Sequence, residues 1–175
     1  MKYVLIYGSL AGLVIISVML TWILVADRDS FFASMYFGFS VMFVAMAFMF
    51  VGVKRYRDVE LGGVIRFWPA LKLGLGIAVV AALAYILVWE IYLASTGYRF
   101  MDDYLAGMAA DMRAQGMSAA EVDAAMAQHQ WVKDNYPNPL IRVPITFLEI
   151  FPVGLIVALV SAGLLRNPKV LPARR

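Results

Sequence analysis

The chain has 175 residues, of which 63% are apolar and only 15% are charged. Ordinary globular domains contain about 25% charged residues, so this composition excludes a soluble enzyme. The chain has no cysteine and one histidine. This excludes disulfides, thiol nucleophiles and thiolate metal sites, and it leaves zinc or haem short of ligands. We therefore expect no cofactor and no metal.

Four apolar segments have the length of a transmembrane helix, which is about 20 residues. The first carries no charge and is longer than the apolar part of a signal peptide, which has about 7 to 15 residues. We therefore interpret it as a retained helix. Only a few residues separate it from the second segment, so these two spans should form an antiparallel hairpin. The four spans are predicted at residues 3–25, 31–53, 73–94 and 143–165.

The first span contains a G-x-x-x-G pattern, formed by Gly8 and Gly12. Two small residues at this spacing allow two helix backbones to approach closely. The partner helix can belong to the same chain or to a second copy, and the sequence leaves both open.

The start of the third span contains residues that interrupt helices. Gly62 and Gly63 precede it, and Pro69 lies just before the uninterrupted apolar run that begins at Leu73. These residues favour a short segment that lies along the membrane surface and then turns into the bilayer.

The long segment between the third and fourth spans covers residues 95–142 and has a helical pattern. Apolar residues recur at helical spacing from 101 to 112, and Gly116 then ends the helix. Residues 118–121 form a capping-box signature, which predicts a second helix over residues 119–132. We therefore expect a helical hairpin outside the membrane.

Lysine and arginine are distributed unequally between the two sides of the predicted spans. By the positive-inside rule, the richer side is cytoplasmic, which places both termini in the cytoplasm and the helical hairpin in the periplasm. The net positive charge of the chain is explained by the basic residues of the predicted cytoplasmic loops, so we expect no nucleic-acid partner. The richer side holds Lys2, Lys54, Arg55, Arg57, Arg66, Lys72, Arg166, Lys169, Arg174 and Arg175, and the poorer side holds Arg28, Arg99, Arg113, Lys133 and Arg142.

Two glutamates, Glu90 and Glu149, lie within apolar spans at a similar depth below the outer boundary. A carboxylate there costs a few kcal/mol unless it is neutral, paired or hydrated, so both should face the bundle interior or a cavity. Arg142 and Thr146 precede Glu149 at helical spacing, which predicts one polar stripe along the fourth span.

A proline adds a further polar atom to this region. Pro152 has no N–H to donate to the carbonyl of Leu148, which is left as a free acceptor beside Glu149. The sequence predicts a ligand or proton site facing the periplasm, with Arg142 or Arg99 as the counter-charge. The alternative, which the sequence favours, is that both acids are structural, hydrogen-bonded across helices or close enough to the interface to stay hydrated. The candidate residues are Glu90, Glu149, Thr146, Arg142 and Arg99.

The methionines of the outer segment and His129 suggest two other chemistries. Thioethers bind Cu(I), and histidine is a common general base. Methionine at helical spacing usually packs against other helices, and no nucleophile or acid stands in a catalytic arrangement with His129. We therefore predict no metal site and no catalytic residue.

Several short motifs follow one another in a specific order along nearly the whole chain. They are Tyr56-Arg57-Asp58, Gly62-Gly63-Val64-Ile65-Arg66-Phe67, Ala70-Leu71-Lys72-Leu73-Gly74, Trp89-Glu90-Ile91-Tyr92, Asn138-Pro139, Thr146-Phe147-Leu148-Glu149 and Pro152-Val153-Gly154-Leu155. In this order they resemble the bacterial family called domain of unknown function 4199. The resemblance implies a small bacterial inner-membrane protein with four spans and an outer helical loop. It implies no activity or catalytic residue.

The sequence therefore predicts an all-α integral membrane protein, with four transmembrane helices and a periplasmic helical hairpin between the third and fourth. We expect one domain over residues 1–175. The preferred function is a non-enzymatic interaction or accessory protein, with the lipid bilayer and either another membrane protein or a second copy as partners. Two alternatives are a small proton- or solute-handling transporter that uses the paired glutamates, and a membrane enzyme that uses them as general acid and base.

Overall fold

The computed structural model describes residues 1–25 and 35–173, and the side chains of residues 1–21 and 37–173. In this part of the chain the fold is all-helical, as predicted. The helices are α1 (Lys2–Val25), α2 (Met35–Glu60), α3 (Phe67–Ser95), α4 (Phe100–Ala114), α5 (Ala119–Ala127), α6 (Gln130–Asn135) and α7 (Pro139–Leu165). The loop predicted between the first two spans and the basic pair at the C terminus lie outside the described residues.

Four of the helices are long and apolar enough to cross a membrane. The qualifying parts are Lys2–Thr21, Phe37–Glu60, Phe67–Ser95 and Pro139–Leu165. A chain with four such helices is a multi-pass membrane protein. The four predicted spans are therefore confirmed as helices. Helices α3 and α7 begin several residues earlier than the apolar pattern indicates, and α2 ends later.

The region before α3 differs from the prediction. Gly62 and Gly63 have φ angles of 63° and 93°, and the N–H of Gly63 donates to the carbonyl of Arg57 at 2.9 Å, which closes the end of α2. Pro69 lies in the first turn of α3, where a backbone N–H has no intrahelical acceptor, so the helix tolerates it. The predicted surface segment is wrong, because these residues end one helix and begin the next.

The chain divides into two compact units. The first comprises Met1–Leu87 and Phe147–Arg175, and the second comprises Val88–Thr146. Helices α1 and α2 and most of α3 and α7 belong to the first unit. The second contains α4 to α6 and the adjoining ends of α3 and α7. The prediction of one domain over residues 1–175 stays a prediction.

In the first unit α1 packs closely against α3 through its glycines. A Cβ atom on Gly8 would lie 2.6 Å from the Cβ of Val80, and one on Gly12 would lie 2.9 Å from the Cβ of Ala84. Residue numbers rise together in the two helices, so they run parallel. The G-x-x-x-G pattern is therefore used within the chain.

Helix α7 also packs closely against α3. A Cβ on Gly154 would lie 2.7 Å from the Cβ of Ala78, and one on Gly74 would lie 3.0 Å from that of Ala158. Here the numbers run in opposite directions, so α3 and α7 are antiparallel.

The remaining long helix, α2, runs antiparallel to α1. The hydroxyl of Tyr3, near the start of α1, donates to Glu60 at the end of α2 over 2.9 Å, and Tyr7 lies against Gly52. Successive long helices of the first unit therefore alternate in direction. The start of α1 and the end of α7 consequently lie at the same end of this unit.

In the second unit the outer segment is helical, as predicted. Gly116 has a φ of 87° and follows α4. The hydroxyl oxygen of Ser118 accepts the N–H of Glu121 while the Glu121 carboxylate accepts the N–H of Ser118, which is the predicted capping box. The second predicted helix is divided into α5 and α6, because the N–H groups of Gln128 and His129 donate to carbonyls three residues back.

Candidate functional site

The site is a bidentate ion pair between Glu90, near the end of α3, and Arg142, in the first turns of α7. The Nε of Arg142 donates to Oε1 of Glu90 over 2.8 Å and its Nη2 donates to Oε2 over 2.6 Å. The side chain of Arg142 is only 2% exposed and that of Glu90 is 26% exposed. A guanidinium that meets both carboxylate oxygens forms the strongest and most directional kind of ion pair.

The other nitrogen of the guanidinium binds the loop before α7. Nη1 of Arg142 donates to the carbonyl of Tyr136 at 2.7 Å and to that of Pro137 at 3.1 Å. Four of the five N–H groups of Arg142 are therefore engaged by protein acceptors. The arginine joins α3, the loop over 136–137 and α7, and we call this arrangement the Arg142 clamp.

Aromatic side chains complete the clamp. The guanidinium carbon of Arg142 lies 5.0 Å from the ring centre of Tyr98 and 5.7 Å from that of Tyr136, which is within the range of a cation–π contact. The indole N–H of Trp89 donates to the hydroxyl of Tyr136 over 3.1 Å. Tyr136 is therefore held by its carbonyl, its ring and its hydroxyl.

Local sequence explains how these side chains are positioned. Gly97 and Tyr98 have φ angles of 65° and 58°, and the N–H of Tyr98 donates to the carbonyl of Leu93 at 2.9 Å, which ends α3. This left-handed turn carries the Tyr98 ring to Arg142, and a positive φ is uncommon for a bulky residue. At the start of α7, the Asn138 side chain accepts the N–H of Leu140 at 3.0 Å and acts as the N-cap.

Two other predicted residues belong to the second unit. The hydroxyl of Thr146 is buried and donates to the carbonyl of Arg142 over 3.1 Å, so it contacts the arginine backbone rather than the ion pair. Arg99 is exposed, and its Nε donates to the carbonyl of Thr96 at 3.4 Å. Of the two candidate counter-charges, Arg142 is the one that pairs with Glu90.

Glu149 lies in the first unit, and the sequence predicts that it faces the bundle interior or a cavity. Its side chain is exposed, and no hydrogen bond or ion pair joins it to a residue that the structure describes. On α7 it shares an exposed face with Pro152 and Ile156, while Ile150 and Val153 are buried. A common site for Glu90 and Glu149 stays a prediction.

The sequence did not identify Trp89, Tyr98 and Tyr136 as site residues. Trp89 is adjacent to Glu90, and an aromatic beside an intramembrane acid is a signal that could have found it. Tyr98 and the carbonyls at 136 and 137 carry no such signal, because their role depends on backbone conformation. Among the residues with described side chains, no group of three or more histidine, cysteine, aspartate or glutamate side chains could hold a metal ion.

Comparison with models of known protein families gives a match over most of the chain. The family model described as Protein of unknown function (DUF4199) matches residues 6–167. No curated protein and no solved structure matches the chain.

Proposed function

The chain belongs to the family described as Protein of unknown function (DUF4199), and we propose that it is a non-enzymatic interaction or accessory protein of a bacterial inner membrane. In this role the second unit faces the periplasm, and polar groups at Glu90 and Glu149 stabilise the protein or receive a partner. The observation that carries the proposal is the engagement of both Glu90 oxygens by Arg142.

The Arg142 clamp has the properties of a structural joint. A general acid, general base or proton carrier must exchange a proton with its surroundings during each cycle. Glu90 instead accepts two charge-assisted hydrogen bonds from an arginine that is itself almost fully buried. These contacts support a fixed scaffold more than a working titrating pair.

Glu149 supports a role in recognising another membrane protein. Carboxyl groups within apolar helices are costly unless they are paired, and this one is exposed on α7. Since Pro152 cannot donate to the carbonyl of Leu148, two acceptors lie side by side on that helix. A partner helix with a hydrogen-bond donor or a basic side chain would complement them.

Site-specific photo-crosslinking in membranes of the native host tests this interaction. A photoreactive amino acid replaces Leu148, which is 64% exposed, and we expect a discrete protein adduct. The adduct should disappear when Glu149→Leu is added, because leucine keeps the apolar surface but removes the acceptor. Leu13 on α1 is 57% exposed and gives a matched control position. The same adduct in equal yield at positions 148 and 13, or an adduct at position 148 that persists in Glu149→Leu, would contradict the proposal.

A second candidate is a small proton- or solute-handling transporter, and the exposed Glu149 carboxyl also favours it. Proton uptake into liposomes that contain the purified protein separates the two candidates. If the protein is an accessory protein, liposomes that contain the wild type or Glu149→Gln should take up protons no faster than empty liposomes. Uptake by the wild type that is lost in Glu149→Gln would favour transport.

A further inference from the structure

Five basic side chains of the first unit are exposed and have no ion pair with a described residue. They lie near the end of α2, around the start of α3 and just after α7. We call this set the basic end. Its members are Arg55, Arg66, Lys72, Arg166 and Lys169.

A buried arginine holds these segments together. Arg57 is fully buried, and its Nη1 donates to the carbonyl of Val170 over 2.9 Å, while its Nη2 donates to that of Leu171. The end of α2 is thereby joined to the segment after α7. A Cβ on Gly63 would lie 3.3 Å from the Cβ of Ala173, so the turn before α3 adjoins the same segment.

The acidic side chains near the basic end are already neutralised. Asp58 pairs with Lys54 and with the Nε of Arg57, the latter at 2.7 Å. Glu60 pairs with Lys2 at 2.9 Å and accepts the hydroxyl of Tyr3. The charges of the basic end are therefore not cancelled by these carboxylates, and they are available to an anionic ligand.

Exposed apolar side chains adjoin these charges. Trp68 is 67% exposed in the first turn of α3, and Val64 in the preceding turn is 57% exposed. Tryptophan is enriched at the depth of lipid headgroups, where its ring lies in the interface. Basic and apolar groups together at the ends of membrane helices suit a phospholipid, which joins an anionic headgroup to apolar acyl chains.

We propose that the basic end binds the phosphate headgroups of anionic phospholipids. The arginines and Lys169 meet the phosphates, and Trp68 lies beside them at the depth of the headgroups. Lys72 lies further along α3, and its long side chain can extend to the same headgroups. Each basic residue near an anionic membrane surface contributes about a fivefold factor in affinity.

Native mass spectrometry of the purified full-length protein in detergent tests this inference. The probes are phosphatidylglycerol and phosphatidylcholine of the same chain length. We expect phosphatidylglycerol to bind in preference, and its affinity to fall at least about tenfold in Arg66→Gln with Arg166→Gln. Arg113→Gln removes an exposed charge from the second unit and should leave the affinity unchanged.

A second double variant, Arg55→Gln with Lys169→Gln, keeps the test decisive if the first one does not fold. It should lose affinity to a similar degree. Equal binding of the two lipids, or folded double variants that bind as the Arg113→Gln control does, would overturn the inference. Stronger binding of polyglutamate than of phosphatidylglycerol in the same detergent would also overturn it and would indicate an acidic protein partner.

Discussion

Arg142 determines the arrangement of the second unit more than any other single residue. Its guanidinium binds one carboxylate and two backbone carbonyls and contacts two tyrosine rings. Buried charges are stable only when their hydrogen-bonding capacity is met by well-placed partners. The clamp meets this condition, because it is built from a helix end, a loop and a helix start.

Removing the arginine should destabilise the protein strongly. In Arg142→Met the Glu90 carboxylate stays partly buried without its partner, and breaking such a pair costs about 3–5 kcal/mol. Because Glu90 is 26% exposed, we expect a loss near the lower limit. Unfolding of the purified protein in detergent micelles by a chemical denaturant measures it.

The double variant Glu90→Leu with Arg142→Met is the control for this prediction. It removes both charges, so it should recover part of the lost stability. Recovery should be incomplete, since the carbonyls of Tyr136 and Pro137 still lose their donor. A double variant that is less stable than Arg142→Met would show that the uncompensated charge is not the cause.

At the residue scale the sequence predicts which charges matter better than it predicts their partners. Glu90 and Arg142 stand out because charges are rare within apolar spans. The choice of Arg142 over Arg99 depends on the left-handed turn at Tyr98, which no local pattern indicates. The cost of a carboxylate in the bilayer predicts that Glu149 faces the interior or a cavity, but the buried neighbours on α7 are Ile150 and Val153.

At the element scale, α5 depends on its capping box and so on pH. The Ser118 hydroxyl and then its backbone N–H donate to the Glu121 carboxylate, each at 2.7 Å, and these bonds hold the pKa of Glu121 below its usual value. A depressed pKa means that the carboxylate stabilises the helix above the unfolded pKa of about 4.3. This stabilisation is lost as the pH falls through the folded pKa.

We therefore expect the start of α5 to fray on acidification below about pH 4. Amide NMR signals of residues 119–122, followed from neutral to acidic pH in micelles, measure this. In Glu121→Gln the side-chain carbonyl still accepts hydrogen bonds but does not titrate, so this pH dependence should vanish. The same acid response in both proteins would rule out Glu121 as its source.

The contact between α1 and α3 should not tolerate an added methyl group. In Gly12→Ala the new Cβ would lie 2.9 Å from the Cβ of Ala84 and 3.2 Å from the carbonyl oxygen of Ala81. Neither atom belongs to the end of a flexible side chain, so the helices must separate. Overpacking of this kind costs about 1–3 kcal/mol, and thermal unfolding in micelles measures the loss.

Gly163 on α7 supplies the matched control. Nothing lies within 4 Å of a Cβ at this position, so Gly163→Ala should be neutral or stabilising by up to about 1 kcal/mol. If Gly12→Ala changed the oligomeric state and not the stability, the glycine pattern would serve a contact between copies instead.

Helices are the elements that the sequence predicts best, because lipid offers no hydrogen bonds and forces apolar chain into helices. Their ends are less predictable. The apolar content predicts that the third span begins at Leu73, but α3 begins at Phe67. The difference arises because Pro69 is compatible with the first turn of a helix. The division between α5 and α6 is another missed boundary, because nothing in the spacing of 119–132 distinguishes one helix from two.

At the scale of the whole molecule, the helix directions of the first unit are consistent with the topology that the charges predict. The long helices of the first unit alternate in direction, so the start of α1 and the end of α7 share one end. The basic end, where Arg57 joins α2 to the segment after α7, lies there too. Because basic loops remain in the cytoplasm, this end is expected on the cytoplasmic side. From the charge count alone, the sequence predicts that the turn between α4 and α5 is periplasmic.

Reporter fusions test this orientation. Green fluorescent protein fused after Arg175 should fluoresce, and alkaline phosphatase at the same position should be inactive, because each is active on only one side of the membrane. Both responses should reverse for fusions inserted after Gln115, in the exposed turn that follows α4. An active phosphatase after Arg175 would contradict the cytoplasmic placement of the basic end. If both fusion sites lay on one side of the membrane, the number of crossings between them would be even, and α7 would then not cross the bilayer as the charge distribution requires.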